Sequence, residues 1–442
     1  MPDPAPGWPL ARLQQAHADL GASLSPDSPA AVRHAIAANY TAPGLTERIA
    51  AVGRRLVLEG RLREAQALLE RGLDLARARQ SAADESRLLP ICVLHALSDE
   101  GTDALRHARY LVGRAMQRTP IVEQLEQLLT AAQAGMTQRS GEILAMMGAL
   151  ADGDLERMAQ LVMLTNARRE GIDAEERALE ACAAWADADP ATRRADYLCR
   201  LGKLRYRQGR YIEAAKLHAE AAQASTNRSG AMNALVSEAA AWLEATETER
   251  ALARGQRVQI EARALRHAWI EVNAAFVERS ARYRLGMAGP PQPDRVEAAA
   301  LVGTAAEAMI AGIEAAIAWR SGDVQLARTL ASRAARRYEE EGHADIAIMF
   351  RALAVRCGDP LEAGDIGDLL LAAQQCHTAD FGVQAVGLLS FALPPDDTEH
   401  ALRSLVERGR PPSAWGQRLD VLSYEEAITL TGVPLDTLTG GS

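Results

Sequence analysis

Two stretches of the chain, VGRRLVLEGRLREAQALLERGL (residues 52–73) and LGKLRYRQGRYIEAAKLHAEAA (residues 201–222), align without a gap, and their small residues coincide. Gly53 meets Gly202, Gly60 meets Gly209, Ala65 meets Ala214 and Gly72 meets Ala221, while bulky Leu62 meets Tyr211. Such a repeat restricts the fold strongly, because a unit that cannot bury its own apolar face must stack on its neighbours. Gly53 and Gly202 mark the place where a second helix crosses closely; a side chain there overpacks the pair, typically at ~1–3 kcal/mol. Gly60 and Gly209 end the first helix, where a left-handed residue is commonly needed. Ala65, Ala214 and Ala221 favour helix and keep the pair tight.

Further copies fade. Residues 317–342, IAWRSGDVQLARTLASRAARRYEEEG, carry Gly322 at the turn, Val324 after it, and Ala327 and Ala334 at the small positions. GALADGDLERMAQLVMLTNARREG has Gly153 at the turn but Met158 where Ala is expected, and SEAAAWLEATETERALARG has Ala239 and Ala251 with no turn glycine. The spacing resembles the tetratricopeptide repeat, two antiparallel helices with small residues at these positions and a bulky one just after the turn glycine. Second helices that overrun a unit of about 34 residues are similar to the repeats of bacterial signal-transducing regulators of the MalT type. That likeness covers about residues 45–360 and implies architecture alone, because no GxxxxGK[ST] loop precedes the repeats and no helix-turn-helix is evident.

The fold class expected is all-α, an α-solenoid of stacked antiparallel helical hairpins. Aromatic residues are only 4% of the chain, and period-two runs of Val, Ile, Thr and aromatics are hard to find, which disfavours sheet. With 442 residues the chain exceeds the roughly 250–300 at which one compact core stops growing. The divisions expected are an arm and capping helices over 1–44, repeats over 45–285, a Pro/Gly-rich loop or hinge at GMAGPPQPD (286–294), further repeats over 295–410, and a capping helix with a mobile tail over 411–442.

A net charge of −9 argues against a chain committed as a whole to nucleic acid or an anionic membrane. The opening MPDPAPGWPLARLQQAHADL lacks a cationic segment followed by an apolar run, and no stretch reaches the about 18 apolar residues of a membrane span. A cytoplasmic protein is expected. The five cysteines are odd in number and lack a CxxC pair, so neither a disulfide framework nor a zinc site is indicated.

Chemistry is poorly represented. The nine histidines form no HExxH, and the adjacent Cys376 and His377 have no further Cys or His close by. The acids of DGDLE and WADADP suit helix caps, and no nucleophile elbow, P-loop or dinucleotide fingerprint appears. No cofactor and no catalytic residue is assigned.

Binding residues follow from placing the first helix of each hairpin along a concave groove. This puts Asp196, Cys199, Lys203, Tyr206 and Arg207 on the groove face, with Glu47, Ala50, Arg54, Val57 and Leu58 in the first unit and Trp319 with Arg320 in the Gly322 unit. Lys203, Tyr206 and Arg207 suit an acidic or carboxylate-ended peptide, the cations donating and Tyr forming an apolar wall. A solvated helix face is the ordinary reading of any one of them; repeat arrays nevertheless bind through their concave faces. The basic cluster from Arg193 to Lys216, interleaved with Tyr197, Tyr206 and Tyr211, superficially resembles a nucleic-acid stacking platform. One helix cannot show all these cations on one side, so nucleic acid is disfavoured.

The expected function is a non-enzymatic scaffold or adaptor holding a protein or peptide, with an acidic segment as the favoured ligand and a homo-oligomer compatible with it. The alternatives are a ligand- or peptide-responsive regulatory or sensor subunit of a bacterial signalling or defence system, then a nucleic-acid-binding solenoid.

Overall fold

The computed structural model describes residues 10–24, 28–38, 44–58, 62–98, 104–133, 162, 167, 172–188, 190–226, 228–360, 363–376, 379–408, 421–422, 424–434 and 438. The turn glycines Gly60 and Gly153, with Met158, MPDPAPGWP and GRPPSAWG, lie outside them. Twenty-one α-helices and one 3₁₀ turn account for nearly all the described residues, with no strand among them. The chain is an all-α helical repeat solenoid in which neighbouring helices pack in sequence order. It divides into two compact units, residues 1–182 and 183–442.

The first unit contains α1 (Leu10–Ser23), α2 (Pro29–Ala37), α3 (Leu45–Leu58), α4 (Leu62–Ala78), α5 (Ala82–Ser98), α6 (Ala104–Gly113) and α7 (Pro120–Gln133). Its core is aliphatic, with Ile49, Leu56, Leu69, Leu88 and Leu125 fully enclosed. Here Leu69 of α4 fills the space beside Gly53 of α3, and a methyl on that glycine would lie 2.6 Å from Leu69 Cγ. The division falls within α8 (Ile172–Ala188).

The second unit continues with α9 (Pro190–Arg207), α10 (Tyr211–Ala224), α11 (Arg228–Glu244), α12 (Thr248–Ala264), α13 (Ala268–Arg284) and α14 (Pro293–Ala300). It ends with α15 (Thr304–Arg320), α16 (Val324–Glu340), α17 (Ala344–Arg356), α18 (Ala363–Gln375), α19 (Ala379–Leu389), α20 (Pro395–Arg408) and α21 (Tyr424–Thr431). Helices α9, α11, α13, α15, α17 and α19 open successive hairpins. These first helices also touch one another, α11 with α13, α13 with α15 and α17 with α19, so they build a common layer.

One turn recurs at eight junctions among the described residues. Gln80, Gly209, Thr246, Arg266, Gly286, Gly322, Gly342 and Gly358 all take positive φ, between 54° and 89°. At each, that residue's N–H donates to the carbonyl three residues back, and the next N–H donates to the carbonyl five back, as in Gly209 to Tyr206 and Arg210 to Arg205. This Schellman arrangement satisfies the carbonyls that a helix end leaves open. The turns that join a first to a second helix fall at Gly209, Thr246, Gly286, Gly322 and Gly358, intervals of 36 to 40 residues. In three of these hairpins the residue seven before the turn residue is small: Gly202, Ala239 and Ala315. Ala214, Ala251 and Ala327, five after it, are wholly buried. Val324, the bulky residue after its turn, is 48% exposed.

In the third hairpin, which turns at Gly286, the small position holds Arg279, 3% exposed, paired with the fully buried Glu314 of α15. Its Nε and Nη2 donate to the two carboxylate oxygens at 2.7 and 2.9 Å. The guanidinium also donates to the carbonyls of Ala288 and, at 2.8 Å, Pro290, while the Gln292 N–H donates to Glu314 at 2.8 Å. An arginine where three other hairpins have glycine or alanine keeps the second helix from crossing closely. The chain between α13 and α14, residues 285–292, therefore runs as a loop wrapped over the ion pair, inside the second unit, and the last two residues of GMAGPPQPD, Pro293 and Asp294, open α14.

Arginine is consumed elsewhere too. Glu238, Glu244, Glu278 and Glu307, all buried on first helices, pair with Arg254, Arg284, Arg282 and Arg333 respectively. A buried carboxylate without such a partner is strongly unfavourable.

Candidate functional site

Lys203, Tyr206 and Arg207 share one face of the last turns of α9, as their three- and four-residue spacing requires. Lys203 is exposed, and Tyr206 and Arg207 are half-buried. Tyr206 does more than line a surface. Its ring packs on Ala214, Ala215 and Ala241 beside Trp242, and meets Tyr211 edge-on with centroids 5.2 Å apart and planes at 70°. Tyr206 thus joins α9 to the next first helix, α11, and leaves part of its ring at the surface.

The residue missing from the sequence-based site is Trp242. Half-buried on α11, it donates its indole N–H to Glu238 at 3.1 Å, and the Arg250 guanidinium lies 5.0 Å above its ring. Counted back from the turn residue, Trp242 occupies the position that Arg205 holds in the preceding hairpin. The missed signal was therefore an aromatic at a repeat-defined position.

Arg205 itself is accounted for. Its guanidinium crosses the turn to Glu213 at 3.1 Å and reaches Gln208 at 2.7 Å. Arg77 with Glu85 and Arg263 with Glu271 bridge other turns with the same eight-residue spacing. Each places a cation at one helix C-terminus and an anion at the next N-terminus, where the helix dipoles favour them. Arg210 also pairs with Glu213, and Arg194 with Asp187. The basic cluster between residues 193 and 216 is thus partly neutralised by its own helices.

Behind the face lies His218 of α10, 2% exposed, directly under Gly202. Burial first, then the Lys203 charge, lowers its pKa to about 4, so it is neutral near pH 7. Burial likewise pushes the half-buried Cys199 thiol up to about 11, with Lys203 opposing. A thiol held protonated is a poor nucleophile.

The other expected residues are dispersed. Arg54 is half-buried on α3, and the side chain of Leu58, which ends that helix, lies outside the described residues. Ala50 and Val57, expected on the groove face, are 1% and 2% exposed within the core, because α3 packs against both α4 and α5 and buries a wide stripe. Glu47 pairs with Arg87. Trp319 is half-buried against the second unit's core, with the Arg320 guanidinium 5.6 Å from its ring centroid.

Arg320, although exposed, is engaged within the chain. It grips Glu426 of α21 through both terminal nitrogens, at 2.6 and 2.5 Å, and donates to the Tyr283 hydroxyl at 3.0 Å. The bond to Glu426 holds its pKa above the usual arginine range. Cys376 is buried, and His377 lies outside the described residues. Among the described residues no three His, Cys, Asp or Glu side chains form a metal-binding group, and no helix is long and apolar enough to cross a membrane. Neither a protein-family model nor a curated protein matches the chain.

Proposed function

We propose that the chain is a non-enzymatic scaffold or adaptor of the bacterial cytoplasm, which holds a protein or peptide partner on the layer of first helices of a tetratricopeptide-like array. The observation that carries this reading is the convergence of Tyr206 and Trp242, from consecutive first helices, on one buried cluster of Ala214, Ala215 and Ala241, with Lys203 and Arg207 beside the tyrosine and Arg250 over the indole. Half-buried aromatics give an apolar wall with little ordering cost, and flanking cations favour an acidic segment. The resemblance of the repeat supports the same reading, since such arrays bind through the surface that their first helices share.

The Lys203→Glu, Arg207→Glu double variant tests it. Immobilised wild-type chain should recover a partner from the native cell at low salt, and the double variant should lose it while keeping its helical circular dichroism. Equal recovery by the two proteins rules out this face.

A further inference from the structure

Residues 421–422 and 424–431 contact three first helices of the second unit in the manner of a bound ligand. The Val421 and Leu422 N–H groups both donate to Gln384 Oε1 of α19 at 3.0 Å, and the Tyr283 hydroxyl of α13 donates to the Val421 carbonyl at 3.1 Å. Arg320 of α15 takes the Glu426 carboxylate by both oxygens. Side chains therefore read the backbone of Val421 and Leu422 and one carboxylate four residues further on. Around these polar contacts Val421, Leu422 and Ala427 are buried, and a methyl on Gly387 would come within 2.7 Å of the Ala427 carbonyl. Residues 420–431 contain three acids and no Lys or Arg, which complements Arg320. The Arg320–Glu426 pair is 36% and 39% exposed, so water reaches it and exchange of the carboxylate is open.

We propose that Tyr283, Arg320 and Gln384 form a binding site for an acidic, helix-forming segment of a partner protein, with an apolar pair followed four residues later by glutamate. Val421, Leu422 and the helix from Tyr424 to Thr431 occupy this site in cis as its resident competitor. The assignment rests on reading the first-helix layer as a recognition surface, yet uses none of Lys203, Tyr206 or Arg207. A partner carrying such a segment binds here by displacing the chain's own, so its apparent affinity is reduced by the fraction of time the site is filled.

A labelled synthetic peptide of residues 419–434, followed by fluorescence anisotropy, tests this on full-length proteins. Wild type should take up the peptide weakly. Glu426→Arg, which sets the resident segment against Arg320, should bind it about tenfold more tightly, and adding Arg320→Ala should abolish the gain. Glu426→Gln should give the same order with a smaller gain, so the outcome does not depend on tolerance of a larger side chain. Equal uptake by wild type and both Glu426 variants overturns the proposal, as does a gain that survives Arg320→Ala. Introducing Lys203→Glu and Arg207→Glu into the Glu426→Arg chain should leave peptide uptake unchanged; a failure at one face is thereby distinguished from a failure at the other.

Discussion

Replacing Glu314 with Ala strands the Arg279 guanidinium, 3% exposed, without a carboxylate. Two charge-assisted bonds of 2.7 and 2.9 Å disappear, and the Gln292 N–H loses its acceptor. Removing one member of a buried pair costs about 3–5 kcal/mol. The Ala288 and Pro290 carbonyls still accept from Arg279, which places Glu314→Ala near the lower end, about 3 kcal/mol. For a unit of this size each kcal/mol lowers Tm by about 2–4 °C, giving a drop of roughly 6–12 °C. Thermal and urea unfolding followed by far-ultraviolet circular dichroism measure the loss, and amide exchange across residues 286–294 should accelerate. The Arg279→Leu, Glu314→Leu double variant removes both charges and should recover most of the stability. A loss below about 1 kcal/mol for Glu314→Ala, or a double variant no more stable than the single, refutes the account of the loop.

Three further outcomes follow. His218 has a folded pKa of about 4 against an ordinary 6.5, so the unfolded chain binds its proton more readily; the contribution is complete above pH 6.5 and is lost as the pH falls towards 4. The difference amounts to about 3 kcal/mol, and His218→Asn should flatten unfolding free energy against pH over that window. Thr246→Gly removes a β-branched residue from φ 65° and should stabilise the chain by about 1 kcal/mol in urea unfolding. Gly202→Ala brings a methyl to 2.8 Å from His218 Cε1 and should cost about 1–3 kcal/mol; a double-mutant cycle with His218→Ala should show coupling, whereas strict additivity would mean that the two side chains do not meet.

Much of the hairpin geometry was legible because it is local. Gly202 under His218, the left-handed Gly209 and Gly322, and the buried Ala214, Ala221 and Ala327 all follow from spacing within one hairpin. Thr246 and Arg266 carry no glycine signal, because there helix-end hydrogen bonds impose the left-handed turn on other residue types. Arg205 read as one more cation of the basic cluster because its partner, Glu213, lies across the turn. Arg320 read as an open cation because Glu426 is 106 residues away, and no local periodicity foretells that contact. Arg279 is a similar case, since its carboxylate belongs to the next hairpin.

The recurring turn also bears on how such a chain changes length through gene rearrangement. Each junction closes on its own backbone and asks little of side chains beyond one residue tolerant of positive φ, so duplicating or excising a hairpin of 36 to 40 residues leaves the flanking helices with a working turn. The joints that link α11, α13 and α15 are the exceptions. Glu244 and Arg284, like Arg279 and Glu314, sit on separate hairpins, and losing one without the other leaves a charge in the core. Copy number can drift on either side of those joints, but the three hairpins they link are inherited together or not at all.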